Sequence, residues 1–99
     1  MMATTLPAAA LPEQNALLMA FPNPFNPTTT IEILLTAPAS IQLALFNLSG
    51  EQVVLLREGW LSSGRYQFHF SGVDLPSGIY FCRLRLPDQQ YARRLLLLK

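Results

Sequence analysis

The amino-acid sequence predicts an all-β sandwich of about seven antiparallel strands. Short apolar runs alternate with turn residues at roughly 8–12-residue intervals, which is the spacing typical of such sandwiches. No segment keeps a helical period of apolar residues long enough to compete with this interpretation. The chain has 99 residues, of which 51% are hydrophobic, so one core and one folded domain are expected.

The fold is expected to begin near Asn15. Residues 1–14 are mostly Ala, Thr, Pro and Leu with a single acidic residue, a composition typical of a disordered linker or tail. This segment does not resemble a secretory signal, because it has no basic residue and Pro7 and Pro12 interrupt its apolar stretch. The predicted organisation is therefore a tail over residues 1–14 and a β-sandwich over residues 15–99.

A proline-rich segment, Phe21-Pro-Asn-Pro-Phe-Asn-Pro27, separates the first two predicted strands, residues 15–21 and 29–37. Its three prolines remove three backbone donors, so the segment cannot lie inside a central strand. Asn before Pro also disfavours a helix. We interpret the segment as a rigid extended lead-in that blunts a sheet edge, in preference to a recognition epitope. The second strand ends at Pro38, which cannot donate to a ladder.

The third and fourth strands are predicted as a hairpin. Residues 40–47 alternate between two mostly apolar faces, and residues 52–56 return beside them. In the turn Leu48-Ser-Gly-Glu51, Gly50 supplies the positive φ that a tight hairpin needs. One face of the third strand carries Ile41, Leu43 and Leu45.

Gly59 and the turn Ser62-Ser-Gly64 bracket Trp60 and precede the fifth predicted strand, residues 65–71. Its aromatic face is expected to point into the core. That face carries Tyr66, Phe68 and Phe70.

The last two strands are predicted over residues 79–86 and 91–98. The turn Asp74-Leu-Pro-Ser-Gly78 precedes the sixth strand, and its glycine permits a left-handed conformation. Pro87-Asp-Gln-Gln90 then turns the chain into the seventh strand, which we expect to be buried near its leucine run. The core face of the sixth strand carries Tyr80, Cys82, Leu84 and Leu86.

The charge pattern argues against a nucleic-acid partner. Seven basic residues face six acidic ones for a net charge of +1, and no basic run extends beyond Arg93-Arg94. Charged residues make up 13% of the chain, about half of ordinary usage, so the chain either buries most of its strands or has an unusually apolar surface, which suggests contact with another molecule. No apolar run approaches the roughly 18 residues of a membrane-spanning helix, so no transmembrane segment is expected.

The sequence indicates no metal, no cofactor and no catalytic set. A single cysteine, Cys82, excludes an internal disulfide and a thiolate zinc cluster, and we predict a small buried apolar residue there. His69 is the single histidine, and we expect it to be an ordinary surface or core residue in preference to a ligand. Asp74 and Asp88 both lie in predicted turns, so no acid-base or nucleophilic set converges and an enzyme is not expected.

Four motifs in order carry a resemblance to a known family. They are Pro22-Asn-Pro-Phe-Asn-Pro27 with Thr28-Thr-Thr-Ile31, then Leu45-Phe-Asn-Leu-Ser-Gly-Glu-Gln-Val53, then Leu75-Pro-Ser-Gly-Ile-Tyr80, then a basic-apolar ending at Lys99. Over about residues 18–99 the chain resembles the C-terminal sorting domain of type IX secretion (type A). That domain is similar in turn to the immunoglobulin-like domain of flagellar hook-capping proteins. The resemblance implies an immunoglobulin-like β-sandwich.

The resemblance also implies a function. In that family the domain lies at the carboxyl end of a larger secreted protein of Gram-negative bacteria and acts as an address. The outer-membrane secretion machinery recognises the folded domain, a surface processing protease removes it, and the passenger is released or attached to the cell surface. The implied location is therefore secreted or cell surface, reached through the periplasm as part of a longer protein with a signal peptide. The upstream passenger is missing from this chain.

Matching the motifs marks candidate sorting residues in this chain. The glycines among them are turn formers first, and Arg93, Arg94 and Lys99 are either contacted by a partner or keep a leucine-rich strand soluble. The candidates are Pro22, Asn23, Pro24, Gly50, Gly78, Tyr80, Arg93, Arg94 and Lys99.

The leading hypothesis is thus a non-catalytic secretion and sorting module. The main alternative is a structural interaction or adhesion domain of the hook-cap type that binds through a sheet edge. A sugar-binding platform is a further alternative, because Trp60, Tyr66 or Tyr91 could supply an exposed aromatic surface.

Overall fold

The computed structural model describes residues 16–99, which form seven antiparallel strands and confirm the predicted all-β fold. The predicted tail, residues 1–14, and Asn15 lie outside the described residues. The strands are β1 (Ala16–Phe21), β2 (Thr28–Leu35), β3 (Ala39–Phe46), β4 (Gln52–Leu61), β5 (Gly64–Ser71), β6 (Gly78–Arg85) and β7 (Gln90–Leu97).

The strands form two sheets. One has three strands in the order β1-β2-β5, and the other has four in the order β4-β3-β6-β7. Every strand pair within a sheet is antiparallel. Consecutive strands therefore change sheet between β2 and β3, between β4 and β5, and between β5 and β6, which is how a sandwich brings two inner faces together.

The hydrophobic core lies between the inner faces of the two sheets, as the alternation predicts. Tyr66 and Phe68 are partly buried against it. The side chains predicted to form the core faces of the third and sixth strands are all buried, and Phe70 of β5 is buried too. The largest fully buried side chains are Phe25, Ile31, Ile33, Leu35, Leu43, Leu45, Leu84, Leu95 and Leu97.

Strand β4 is longer than predicted. The sequence predicts it over residues 52–56, but pairing continues through Gly59, opposite Ile41, to Leu61, opposite Ala39. The register of the ladder shifts between Leu43 and Ala44, and the backbone at Gly59 has a φ of 128°. Glycine tolerates this conformation, so the strand continues through Gly59.

The two predicted turn glycines have the positive φ that the sequence indicated. Gly50 has φ 86° in the hairpin turn, and Gly78 has φ 147° at the start of β6. In the hairpin turn the side chain of Asn47 accepts hydrogen bonds from the backbone N–H groups of Ser49 (3.0 Å) and Glu51 (2.9 Å). These side-chain hydrogen bonds stabilise the hairpin turn.

Candidate recognition surface

The proline segment lies along the outer edge of β7, and Asn23 makes the first contact. Its Nδ2 donates to the carbonyl oxygen of Arg94 (2.7 Å), and its Oδ1 accepts from the backbone N–H of Leu96 (3.0 Å). These are the two bonds that the backbone of a neighbouring strand would supply. Because Pro22 and Pro24 have no N–H, a side-chain amide takes over this role.

Phe25 continues the contact with its backbone. Its N–H donates to Leu96 O (2.9 Å) and its carbonyl accepts from Leu98 N (2.9 Å), forming a parallel bridge with Leu97. Its ring is 1% exposed and meets the Phe70 ring edge-on at 6.2 Å. We call Asn23 and Phe25, together with residues 94–98, the clasp.

Gly72, which follows β5, leaves room for the clasp side chains of Leu97 and Phe25. A Cβ at Gly72 would lie 2.9 Å from a methyl carbon of Leu97, so a larger residue would push that side chain away, and it would touch the Phe25 ring at 3.4 Å. The Gly72 N–H donates to Pro27 O (2.8 Å), and the hydroxyl of buried Thr29 donates to Pro22 O (2.8 Å). The proline segment is therefore hydrogen-bonded to Thr29 in β2 and to Gly72 after β5, as well as to β7.

Two of the three basic candidate residues make long-range contacts. Arg93 Nε donates to Leu18 O in β1 (2.9 Å), which bonds the neighbouring edges of the two sheets. Lys99 Nζ donates to the carbonyls of Val73 (2.7 Å) and Leu75 (2.6 Å). The backbone of Arg94 belongs to the clasp, while its guanidinium is exposed with no bond to any other residue among those described.

The remaining candidates lie in β6 and in the hairpin turn. Gly78 pairs with Leu97, and Tyr80 pairs with Leu95. The Tyr80 ring is buried and its hydroxyl donates to Pro76 O. Gly50 lies in the turn between β3 and β4, on the far side of the same sheet. The structure thus places all the candidates except Gly50 on or beside β7.

A shallow surface cavity of about 370 Å³ lies where the clasp meets the outer face of the four-stranded sheet. Its lining combines three apolar side chains with one amide and one guanidinium group. The residues that line it are Asn23, Pro24, Ile79, Arg94 and Leu96.

The outer face of β6 carries two arginines that sequence analysis did not single out, Arg83 and Arg85. The Arg83 guanidinium lies 4.3 Å from the ring centroid of Phe46, and its Nη2 donates to Gln42 Oε1 (3.2 Å). Its Nε is buried and has no hydrogen-bond partner within the described part of the chain. Desolvation, and secondarily the charge of Arg85, lower the pKa of Arg83.

Sequence analysis also missed Phe25, Thr29 and Gly72. The signal for Phe25 was available, because a large apolar residue between prolines has no role in a solvated lead-in and is best explained by burial. Thr29 and Gly72 gave no signal, since their roles depend on residues that only the fold brings near.

The cysteine and histidine lie where the sequence predicted. Cys82 is fully buried in the core, and burial raises the pKa of its thiol to about 12. His69 is exposed on β5, with Nδ1 3.1 Å from the hydroxyl oxygen of Thr30. Residues 16–99 contain no group of three or more His, Cys, Asp or Glu side chains that could hold a metal ion.

The three aromatic residues of the sugar-binding alternative differ in exposure. Trp60 is 67% exposed on β4, whereas Tyr66 and Tyr91 are partly buried against the core. The Tyr66 hydroxyl donates to Ser62 O (2.8 Å) and that of Tyr91 to Gln89 Oε1. Trp60 alone of the three presents most of its ring to solvent.

Comparisons with known proteins identify the family. Among the described residues, no helix has the length and apolar character needed to cross a membrane. No curated protein matches the sequence. One similar solved structure is the Pseudomonas fluorescens alkylpurine DNA glycosylase AlkC bound to DNA containing an abasic site analog, with a TM-score of 0.45 and 14% identity. That likeness covers 93% of this chain and 33% of the glycosylase chain, and it supports no inference about function.

The sequence profile of a family described as "Secretion system C-terminal sorting domain" matches residues 19–98, which include every described strand from the middle of β1 onward. This match agrees with the order of the four motifs and with the seven-stranded sandwich. The chain therefore belongs to the family of secretion system C-terminal sorting domains, and it is a non-catalytic targeting module.

Proposed function

We propose that this domain directs an upstream passenger protein through the periplasm and across the outer membrane by the type IX machinery. Family membership makes the secretion machinery its partner and the cell exterior or surface its destination. The proposal adds three elements: recognition by an outer-membrane component, removal by a surface processing protease, and a covalently linked passenger in a longer protein with a signal peptide. Residues 15–99 form the sorting unit, and residues 1–14 link it to the passenger.

The clasp is the observation that carries this proposal. Asn23 bonds Arg94 and Leu96, which are 71 and 73 residues further along the chain. Two motifs that are far apart in sequence are therefore neighbours only when the domain has folded. A receptor that contacts both would distinguish the folded domain from an unfolded chain. The residues proposed for this surface are Pro22, Asn23, Pro24, Gly78, Arg93, Arg94 and Lys99, with the buried Tyr80 supporting it from the core and Gly50 shaping a separate turn.

The proposal is tested by fusing a signal peptide and a fluorescent reporter ahead of the complete 99-residue chain in a bacterium with a working type IX system. We expect the reporter outside the cell. Its retention in the periplasm, with the fusion intact and folded, would count against the sorting function proposed here.

A matched pair of variants tests the role of the clasp in the same assay. Asn23→Ala removes two side-chain bonds to β7, whereas Asn26→Ala changes the same residue type in the same segment, where no side-chain bond to a described residue forms. We expect less export for Asn23→Ala than for Asn26→Ala. Equal export of the two, with the wild-type fusion fully exported, would show that the machinery does not depend on the clasp.

A structural adhesion role of the hook-cap type is the second candidate. It is favoured by β4 and β5, which each pair with a single strand among the described residues and leave one backbone edge open. Genomic context separates the two functions: a long secreted passenger upstream supports sorting, whereas a flagellar gene cluster supports assembly.

A further inference from the structure

We propose that the outer face of the four-stranded sheet docks an acidic protein segment that also carries apolar side chains. This inference rests on the proposed function, because the segment would belong to the secretion machinery. We call this surface the basic face and define it by Arg83, Arg85 and Arg94, with Phe46 and Phe81 between them.

The strand register assembles the basic face. Phe81 of β6 lies between Phe46 of β3 and Arg94 of β7 in one cross-strand row. Arg83 and Arg85 follow on the same side of β6, because side chains two residues apart share a face and lie about 7 Å apart. Three guanidinium groups and two aromatic rings therefore share one surface.

The positive charge on this face is only partly balanced within it, because a single acidic residue, Glu58 of β4, lies in one cross-strand row with Gln42 and Arg85. Strands β6 and β7 contain no acidic residue at all. Glu58, on the far strand β4, accepts a hydrogen bond from Gln42 (3.3 Å). On the other sheet the arrangement is different, since Arg65 lies 3.4 Å from Glu32 in an ion pair. Like charges close together on one face repel each other, and an anionic partner would relieve this repulsion.

Arg83 has a buried donor that forms no hydrogen bond with the described residues. This donor is Nε, and desolvation, together with the smaller effect of the Arg85 charge, lowers the pKa of Arg83. A carboxylate arriving on this face would compensate both charges and would offer bidentate acceptors to the exposed guanidinium groups.

The apolar side chains indicate a protein rather than a bare polyanion. Phe46, Phe81, Ile79 and Leu96 are all partly exposed between or beside the arginines. Leu55, on the adjoining strand, is 46% exposed. Phosphate groups would leave these side chains in water, whereas a segment with alternating acidic and apolar residues would bury them.

The basic face is continuous with the clasp. Arg94 and Leu96 contribute their backbones to the clasp, and their side chains line the cavity of about 370 Å³ beside it. A partner docked here would therefore contact a surface that exists only when β7 is held between β6 and the proline segment.

The first test uses the reporter fusion of the complete chain. In the double variant Arg85→Glu/Arg94→Glu, we expect export to fall about tenfold or more, because reversed charges on a docking face repel the partner. Arg57→Glu is the matched control: Arg57 is exposed but pairs with Leu43, a core-facing position, so it lies off the basic face. Export of the Arg57 variant should stay within about twofold of wild type. A second double variant, Arg85→Lys/Arg94→Lys, keeps the charge but loses the bidentate donors, so its export should fall between that of wild type and that of Arg85→Glu/Arg94→Glu.

The outcomes separate this inference from the proposed function. If the wild-type fusion stays in the periplasm, the sorting function itself fails. If the wild type is exported and Arg85→Glu/Arg94→Glu is exported equally well, the basic face is not a docking surface. Circular dichroism and the denaturation midpoint of each purified variant confirm that the compared chains are folded; the neutral pair Arg85→Gln/Arg94→Gln replaces the glutamate pair if it is not.

A binding measurement distinguishes the two possible sources of negative charge. The probes are a synthetic peptide of alternating glutamate and leucine and vesicles containing phosphatidylglycerol. We expect the complete chain to bind the peptide, more weakly at high salt, and Arg85→Glu/Arg94→Glu to lose this binding. Binding to the vesicles without binding to the peptide would identify a lipid surface as the partner and overturn the inference.

Discussion

Replacing Asn23 by alanine tests the clasp as a stabilising contact. The substitution removes the 2.7 Å bond to Arg94 O and the 3.0 Å bond from Leu96 N. A typical protein hydrogen bond contributes a net ~1 kcal/mol. Because Asn23 is exposed and water can replace part of what is lost, we expect the free energy of unfolding to fall by about 1–2 kcal/mol in total.

The change is measurable by two methods. For a domain of this size, 1 kcal/mol shifts the melting temperature by roughly 4–8 °C, so thermal or urea unfolding of the complete chain resolves it. Amide hydrogen exchange gives a local measurement, because the Leu96 N–H bonds the Asn23 side chain whereas the Leu98 N–H bonds the Phe25 backbone. In Asn23→Ala the Leu96 amide should exchange faster, while the Leu98 amide should change much less.

Asn26→Ala is the control for the loss of an asparagine before proline. We expect it to alter stability by no more than about 0.5 kcal/mol. If Asn23→Ala and Asn26→Ala unfold together and the Leu96 amide keeps its protection, the side-chain bonds do not hold β7 and the argument for the clasp is wrong.

Two further predictions concern the core. Phe25→Ala should lower the free energy of unfolding by about 3–5 kcal/mol, because Phe25 is 1% exposed. Phe21 is 45% exposed, so Phe21→Ala should lower it by about 1 kcal/mol or less. Urea unfolding measures both losses, and equal losses would contradict burial as the cause. Burial raises the pKa of the Cys82 thiol to about 12, so its contribution to stability is complete below about pH 9 and is lost as the pH rises from 9 towards 12. Unfolding at a series of alkaline pH values should therefore show a steeper decline for wild type than for Cys82→Ala, and parallel declines would refute this.

Local pattern was enough to predict most of the fold. Alternation in β3 and β6 identified their core faces, and Gly50 and Gly78 identified turns that require a positive φ. These features depend on residues close together in sequence, so the sequence contains the required information. The length of β4 is the exception, because a glycine inside a strand and a glycine beyond its end give the same local pattern.

The candidate surface was predictable only in part. The proline segment and the end of the chain were identified as separate motifs, but nothing in the sequence shows that Asn23 bonds β7 or that Arg93 reaches β1. Side-chain hydrogen bonds between residues more than 70 positions apart leave no periodic pattern in the sequence. The basic face was missed for a related reason: Arg83, Arg85 and Arg94 lie on two strands, and only the register of β6 with β7 places them together.

The span of the clasp has a consequence for the order of events during synthesis. A ribosome adds residues at about 5–20 per second, and the proline segment emerges long before its partners at positions 94–98 do. Until those last residues leave the exit tunnel, Phe25 lacks the backbone partners that hold it, and β6 has no neighbour on one side. The domain therefore completes its structure only after residue 98 has left the tunnel, so a prematurely terminated chain would lack the finished surface.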